Sequence, residues 1–354
     1  MIRYLLFTAA LCSCNKQNDT AAVDIYVEAD DDGSSEDSGS SDDVTDIDDG
    51  NDDGSDDDGS DDGDGDDDAD GDDDADGDDD DDGDDGSSPA ATLPNLAEAG
   101  PFGIASISGT FTSSDGCEMA YKRYTATDST HAGEVYILHG FVRKKEQFSE
   151  LSEHLARWGI TTTAVDLCHS TFTDVDPEQN ARDTIELARS LATGPVVWMG
   201  QSNGGLSALI AGGVAPDITA GVLGLDPVES MAGGGDVWAA QVTSPAAALF
   251  GISDSCNSSN SGLPIYRAVA DTRSSRVTEA DHCSFEFPTD LLCTFACERA
   301  KSTFTDTQIH STIIELSTAW ALGRLETGFD DSPWWSISGE RYEEYRTSGA
   351  VSTL

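Results

Sequence analysis

The stretch Val196-Val-Trp-Met-Gly-Gln-Ser-Asn-Gly-Gly205 decides which fold the sequence predicts. Its first four residues are apolar, as in a buried strand, and the run Leu206 to Val214 that follows it is typical of an apolar helix. The glycines between the two elements permit a sharp turn, which would expose the hydroxyl of Ser202 above the end of the strand. The stretch therefore predicts a strand, a strained turn and a helix.

The turn matches the pattern G-x-S-x-G at Gly200 to Gly204. The pattern recurs by chance, but a preceding strand and a following helix are the context of a nucleophile elbow. The favoured interpretation is that Ser202 is a nucleophile. The alternative is a glycine-rich turn that binds phosphate or has no ligand.

A serine hydroxyl needs a base to remove its proton, and in this arrangement the acid and then the histidine follow the serine along the chain. His282 and His310 are the histidines beyond Ser202. His282 lies after the last predicted strand, where the base is expected, whereas His310 begins the last predicted helix and is expected to be a surface or capping residue.

The acid of the predicted triad has two main candidates, Asp226 and Asp254, and each follows a predicted strand. Asp271 and Asp281 are weaker candidates, since Asp281 adjoins the base in sequence but would point elsewhere. The acid would hold the imidazole tautomer and stabilise the imidazolium. The position of the two residues after strands leaves the choice between Asp226 and Asp254 open.

Two backbone amides are expected to form the oxyanion hole. One is the amide of Asn203, directly after the nucleophile, and the other is the amide of Phe141, because Gly140 lets the backbone bend close to the serine. His139, which precedes Gly140, is expected to have a structural role.

Strand and helix patterns alternate along most of the chain. This alternation predicts an α/β fold with a mostly parallel central sheet and helices on both faces. The predicted strands are 103–112, 118–125, 134–138, 160–167, 196–199, 220–225, 246–252 and 265–270. The predicted helices are 145–158, 176–191, 206–214 and 307–322.

The N-terminus has the pattern of an export signal. Arg3 precedes a short apolar run, and Leu11-Cys12-Ser13-Cys14 resembles a bacterial lipobox with Cys14 as the lipidated residue. The alternatives are lipidation of Cys12 or an ordinary cleaved signal peptide. Residues 1–14 are thus predicted to be a lipoprotein signal, and the protein to be exported and anchored by lipid to a bacterial membrane or cell surface.

Residues 15–99 are predicted to be a disordered acidic linker. Between Glu28 and Asp85 the chain has 34 acidic residues and no Lys or Arg, so the segment has little apolar surface to bury and repels itself. We expect an extended spacer with, at most, loose binding of Ca²⁺; ordered calcium sites are a weaker alternative. Since no basic stripe is present, we expect no nucleic-acid partner.

The folded domain is predicted at residues 100–325, and residues 326–354 form a C-terminal tail without a clear period. Six cysteines lie beyond the N-terminal signal, and an even number in an exported chain indicates disulfides. Their pairing stays open. They are Cys117, Cys168, Cys256, Cys283, Cys293 and Cys297. No spacing of histidine and cysteine suits zinc, and no metal site is expected.

Five short stretches together resemble the chlorophyllase and platelet-activating-factor-acetylhydrolase-like branch of the α/β-hydrolase superfamily, over roughly residues 105–325. They are HGF at 139–141, DLCH at 166–169, GQSNGG at 200–205, GLDPVES at 224–230 and ADHCSFE at 280–286. The resemblance implies an α/β-hydrolase fold. It also implies that the acid ends the earlier of the two strands, which favours Asp226 over Asp254.

What the resemblance implies about activity is the hydrolysis of carboxylic esters, without a metal or organic cofactor. Chlorophyll as a substrate does not carry over to a lipoprotein. We therefore expect an esterase or lipase-like serine hydrolase that forms an acyl-enzyme on Ser202 and acts on a small-molecule or lipid ester. The alternatives are a non-catalytic binding protein on a hydrolase scaffold and a cation-binding acidic surface protein.

Overall fold

The computed structural model describes residues 93–127, 133–230, 233–326 and 328–354. The predicted signal, the lipidation site at Cys14 and the acidic tract from Glu28 to Asp85 lie outside these residues, as does His131.

A nine-stranded sheet forms the centre of the fold, and a separate two-stranded hairpin lies beside it. The strands of the main sheet are β1 (Ile104–Thr112), β2 (Glu118–Ala126), β3 (Glu134–Leu138), β4 (Thr161–Val165), β7 (Val196–Gln201), β8 (Thr219–Leu225), β9 (Ala246–Phe250), β10 (Thr272–Val277) and β11 (Val351–Thr353). The hairpin consists of β5 (Ser170–Thr171) and β6 (Asp174–Val175).

The spatial order of the sheet is β1, β2, β4, β3, β7, β8, β9, β10, β11. All neighbours from β4 to β10 run parallel, while β1, β2 and β11 join the two edges as antiparallel strands. The parallel core confirms the predicted α/β class with a mostly parallel sheet. Because parallel strands need crossover connections, helices follow most of these strands.

Nine helices cover the sheet within the described residues. They are α1 (Ser149–Arg157), α2 (Pro177–Leu191), α3 (Asn203–Val214), α4 (Gly235–Ala239), α5 (Leu263–Arg267), α6 (Leu291–Cys297), α7 (Asp306–Leu325), α8 (Ser332–Trp335) and α9 (Glu340–Ser348). Two 3₁₀ turns, Lys145–Phe148 and His282–Phe285, precede α1 and follow β10.

The strands bury alternate residues on opposite faces of the sheet. Val135 and Ile137 of β3 belong to the apolar cluster that includes residues of α1 and α7. Tyr136 and Leu138 of the same strand belong to the cluster that includes residues of α2 and α3. Successive side chains of a strand point to opposite faces, so a strand that is apolar throughout forms two cores.

The predicted strand at 265–270 is wrong, because the first half of this segment belongs to helix α5 and the second half forms a turn and bends. Pro264 occupies the first turn of the helix, where its missing N–H is not needed, and Tyr266 is buried with its hydroxyl donating to the Gly205 carbonyl at 2.8 Å. The strand is instead β10, whose sequence TRSSRV has few apolar residues. Its Arg273 side chain lies 3.4 Å from Asp331, in the segment predicted to be a tail.

The C-terminal segment 326–354, which the sequence left unassigned, belongs to the folded domain. It forms α8, α9 and β11, and β11 pairs with β10 in the main sheet. Trp334 is buried, stacks on Phe329 and donates its indole N–H to Glu315 of α7 at 2.9 Å. The predicted domain boundary at residue 325 therefore does not correspond to a boundary in the structure.

All six cysteines in the described part of the chain form disulfides, as their even number predicts. The pairs are Cys117–Cys168, Cys256–Cys297 and Cys283–Cys293. Three disulfides indicate an oxidising, exported environment. The sulfur atoms of Cys283, Cys293 and Cys297 lie close together because two disulfides meet at α6, and such paired sulfurs are not thiolate ligands.

None of the helices in the described part of the chain has the length and hydropathy that crossing a membrane requires.

Replacing the buried indole of the C-terminal segment tests whether this segment stabilises the domain. We expect Trp334→Ala to lower the free energy of unfolding by about 3–5 kcal/mol, because a large buried side chain is lost and Glu315 loses a hydrogen bond. Urea denaturation followed by circular dichroism measures the change. Ile337→Ser is the control, since Ile337 is 66% exposed and should have little effect. Equal stability of the two variants would contradict the assignment.

Candidate active site

Three neighbouring parallel strands end at the same edge of the sheet. In the ladder of β3, β7 and β8, Leu138 pairs with Gly200 and Gly200 pairs with Gly224. The loops that follow these strands begin with His139, Ser202 and Asp226, and they start side by side. This alignment brings together residues that are far apart in sequence.

Ser202 lies at the turn between β7 and α3 with a φ of 57° and a ψ of −126°. A residue with a side chain rarely adopts this conformation, which costs about 1–3 kcal/mol. The turn is held by the Ser202 N–H, which donates to the Leu225 carbonyl at 3.1 Å, and by the Ser202 carbonyl, which accepts from the Val228 N–H at 3.0 Å. The structure thus has the strand, strained turn and helix that the sequence predicts.

Two glycines allow the backbone to approach the serine closely. A Cβ atom at Gly204 would lie 2.3 Å from the Leu138 carbonyl oxygen, and one at Gly140 would lie 2.8 Å from the Cβ atom of Ser202. Both distances are too short for any side chain. The packing of the turn against the loop after β3 therefore requires glycine at both positions.

Asp226 contacts His282 directly. The Nδ1–H of His282 donates to Oδ2 of Asp226 at 2.6 Å, and both side chains are buried. Oδ1 of Asp226 accepts from the Gly251 N–H at 3.0 Å, and Oδ2 also accepts from the Asn257 side-chain amide at 3.2 Å. The carboxylate is thus hydrogen-bonded on both oxygens, as a buried charge must be.

The pKa of His282 is raised above its ordinary value. Burial is the largest single effect and lowers the pKa. The hydrogen bond and the negative charge of Asp226 more than reverse this effect, and the charges of Glu286 and Asp254 add to the increase. The Asp226 carboxylate thus stabilises the protonated imidazole, which is the role expected of the acid in a triad.

The Nε2 atom of His282 faces Gln201, the residue directly before Ser202. The side-chain amide nitrogen of Gln201 lies 3.1 Å from this Nε2. No hydrogen bond joins the Ser202 hydroxyl to His282 within the described residues, although both side chains line one pocket. Bonds of this kind are often long before substrate binds.

Asp254, the alternative acid, has other partners. Its Oδ1 accepts from the Cys256 N–H at 2.7 Å and from the Asn257 N–H at 3.2 Å, and its Oδ2 lies 3.3 Å from Arg299. These bonds shape the loop after β9, and none joins Asp254 to His282. The structure therefore brings Asp226, and not Asp254, to the imidazole.

The two amides predicted to bind an oxyanion lie close to the serine in the chain or in the pocket. Phe141 lines the pocket of Ser202, and Asn203 is the first residue of α3. Neither amide has a hydrogen-bond acceptor among the residues the structure describes. The N-terminal end of α3 adds a favourable dipole for negative charge at this point.

The pocket at this edge of the sheet has a volume of about 300 Å³. The catalytic candidates Ser202 and His282 line it together with Gln201, Arg143 and Glu286. Its remaining walls are mainly apolar and come from Phe141, Val142, Phe172, Leu292, Ala296 and three disulfide cysteines. Such a mixture of apolar walls and a few polar groups is typical of a site for a small ligand.

His139 and His310 have structural contacts. His139 is buried, its Nδ1–H donates to the Gly140 carbonyl at 2.8 Å, and its Nε2 accepts from the Leu167 N–H at 2.9 Å. Burial lowers the pKa of His139 to about 4, which keeps it neutral. His310 of α7 packs edge-on against Phe287 and does not line the pocket of Ser202.

Gln201, Asn257 and Glu286 contact or line this site although the sequence analysis did not select them. Gln201 occupies a variable position of G-x-S-x-G, so the motif gives no reason to expect its contact with His282. Asn257 lies in a polar loop of Ser and Asn residues that carries no recognisable signal.

Comparison of the sequence with protein-family models and with curated proteins gives no match.

Titration of His282 tests the assignment of its partner. We expect a pKa above the ordinary value of 6.5 in the native protein and a pKa below it in Asp226→Asn, since burial then acts without the opposing charge. Nitrogen-15 NMR of the imidazole measures both values. Asp254→Asn is the matched control and should leave the pKa above 6.5. A pKa that falls in Asp254→Asn but not in Asp226→Asn would reverse the assignment.

Proposed function

We propose that the protein is a serine hydrolase of the α/β-hydrolase type that cleaves carboxylic esters through an acyl-enzyme on Ser202. The observation that carries the proposal is the buried 2.6 Å contact of Asp226 with His282, whose opposite nitrogen faces Gln201, the residue directly before Ser202, in a pocket that Ser202 also lines. An acid, a base and a nucleophile in this order along three loops are what acyl transfer requires.

In the proposed reaction, Oγ of Ser202 attacks the ester carbonyl while Nε2 of His282 takes the hydroxyl proton. The resulting oxyanion accepts from the amides of Phe141 and Asn203. Collapse of this intermediate breaks the bond to the alcohol, which leaves with the proton from His282. A water molecule, which gives its proton to His282, then attacks the acyl-serine. The carboxylic acid is released, and Ser202 regains its proton from His282.

Gln201 gives this mechanism a requirement of its own. Its side-chain amide lies 3.1 Å from Nε2 of His282, the atom to which the Ser202 hydroxyl must hydrogen-bond in this mechanism. The proposed cycle therefore includes a side-chain rotation that replaces Gln201 by Ser202 at the imidazole.

The export signal and the acidic tract complete the proposal. The three disulfides already indicate an oxidising environment. Lipid attached to Cys14 would hold the chain at a membrane, and the acidic tract would act as the spacer between that anchor and the hydrolase domain. Loose binding of Ca²⁺ by the tract fits this arrangement but contributes nothing to the ester chemistry.

Substitution of the triad tests the proposal. We expect the native protein to react with a fluorophosphonate probe and to hydrolyse p-nitrophenyl butyrate, and we expect Ser202→Ala to abolish both. Asp226→Asn should lower kcat/KM by about 10³–10⁴-fold, since the imidazole loses its orientation and its counter-charge.

Asp254→Asn is the matched control for Asp226→Asn. It should change kcat/KM less than about tenfold, because it removes a partly exposed ion pair worth about 1 kcal/mol or less. A folded native protein that neither reacts with the probe nor cleaves any ester in a graded chain-length series would support the alternative of a non-catalytic binding protein.

The pH dependence follows from the raised pKa of His282. The base must be neutral to accept the serine proton, so activity is lost as the pH falls through this pKa. We expect the acidic limb of kcat/KM to have its midpoint above pH 6.5, the ordinary value for histidine. A midpoint at or below pH 6 would show that His282 is not held in this way by Asp226.

A further inference from the structure

Phe141, Phe172 and Leu292 line the pocket of Ser202 and are exposed, and Leu291 and Phe295 are exposed on the same helix as Leu292, α6. We call these five large apolar side chains the apolar collar. Phe295 is 93% exposed, Leu291 87% and Phe172 79%. Isolated exposed apolar residues are common on soluble proteins, but a cluster at the mouth of a pocket marks an interaction surface.

The collar surrounds the pocket from two sides. Phe141 and Phe172 pack edge-to-face with ring centres 5.3 Å apart, and Phe172 lies at the tip of the hairpin of β5 and β6. Leu292 of α6 lines the same pocket as these two aromatic residues. The way into the pocket is therefore bordered by apolar side chains of separate segments.

Helix α6 shows how the collar is kept exposed. Residues four apart share a face of a helix. Cys293 and Cys297 are bound by disulfides to Cys283 and Cys256, and Leu292 and Ala296 line the pocket. Leu291 and Phe295 form the remaining face, and the two disulfides prevent α6 from turning this face inward. The exposure is thus built into the covalent structure.

The charges of the chain limit what can cover the collar. The sequence from 93 to 354 has 33 acidic and 16 basic residues, and the whole chain has a net charge of −51. An anionic membrane would repel such a protein. Arg143, the basic residue among the pocket-lining residues, is already bound to Glu286 and lies 3.0 Å from Asp290, so the pocket offers no free cation to an anionic group.

We propose that the apolar collar docks on a lipid surface without net charge, and that the pocket takes its ester substrate from that surface. A second copy of the chain or a protein partner on the collar would close the pocket, whereas a lipid layer would supply it. This inference rests on the proposed function for the identity of the substrate. The docking itself depends only on the collar.

Flotation with vesicles tests the docking. The full chain is used with Cys12→Ser and Cys14→Ser, so that acyl chains cannot bind the vesicles. We expect this protein to float with dioleoylphosphatidylcholine vesicles, and less when about one third of the lipid is anionic phosphatidylglycerol. Adding Leu291→Ser and Phe295→Ser should lower the vesicle partition coefficient by about tenfold or more, since two large apolar side chains no longer leave water.

Ile337→Ser is the matched control, because Ile337 is 66% exposed but lies between α8 and α9, outside the collar. It should float like the parent protein. If the double substitution in α6 does not fold, as judged by its thermal midpoint, Phe172→Ser on the separate hairpin replaces it, with the same expected direction. Flotation that is unchanged by the collar substitutions, or stronger on the anionic vesicles, would overturn the proposal.

Two further measurements separate the possible failures. A parent protein that elutes as a dimer, and becomes monomeric when Phe295→Ser is introduced, would show that a second copy covers the collar, and would overturn the lipid proposal. Ser202→Ala should float like the parent. Collar-dependent flotation of a protein that cleaves no ester would leave the docking surface standing while the proposed function fails.

Discussion

The hydrogen bond between Asp226 and His282 is the contact on which the site depends. It joins the loop after β8 to the loop after β10, and both side chains are buried. A buried carboxylate is costly unless its oxygens are bonded, and here the Gly251 N–H and the Asn257 amide supply the additional donors. The loop after β9 therefore has to fold around Asp226 before the imidazole can be held.

The edge of the sheet explains why these loops meet. Crossover connections make β7, β8, β9 and β10 parallel neighbours, so the segments after them emerge together at their carboxyl ends. Ser202 adds a strained conformation at this edge, with a φ of 57°. The strain is offset by the packing of α3 against β7 and β8 and by the hydrogen bonds of the Ser202 backbone. The serine is thereby fixed where the loops converge.

Much of this arrangement can be predicted from the sequence, and the exceptions have physical causes. The apolar run at 135–138 is recognisable because both faces of a parallel strand are buried, and the turn at Ser202 is recognisable from its glycines. The strand β10 is not recognisable, because its side chains are mostly polar and the C-terminal segment covers them. The segment 265–270 is predicted as a strand because a short, mainly apolar run suits a buried strand and a buried helix equally well. The contact between Gln201 and His282 depends on a side-chain rotamer, and disulfide pairing depends on the finished fold.

The disulfides connect the catalytic candidates to the surface around them. Cys283 directly follows His282 and forms a disulfide with Cys293. Cys256 forms a disulfide with Cys297 and directly precedes Asn257, whose side-chain amide donates to Asp226. Both cross-links end on α6, so one short helix fixes the loop of the base and the loop that supports the acid. Displacements of about 1 Å in an active site can cost about a hundredfold in rate, so the proposed hydrolase function requires an attachment of this kind. The same attachment holds Leu291 and Phe295 outward, so the rigidity of the site and the exposure of its apolar rim have one structural origin.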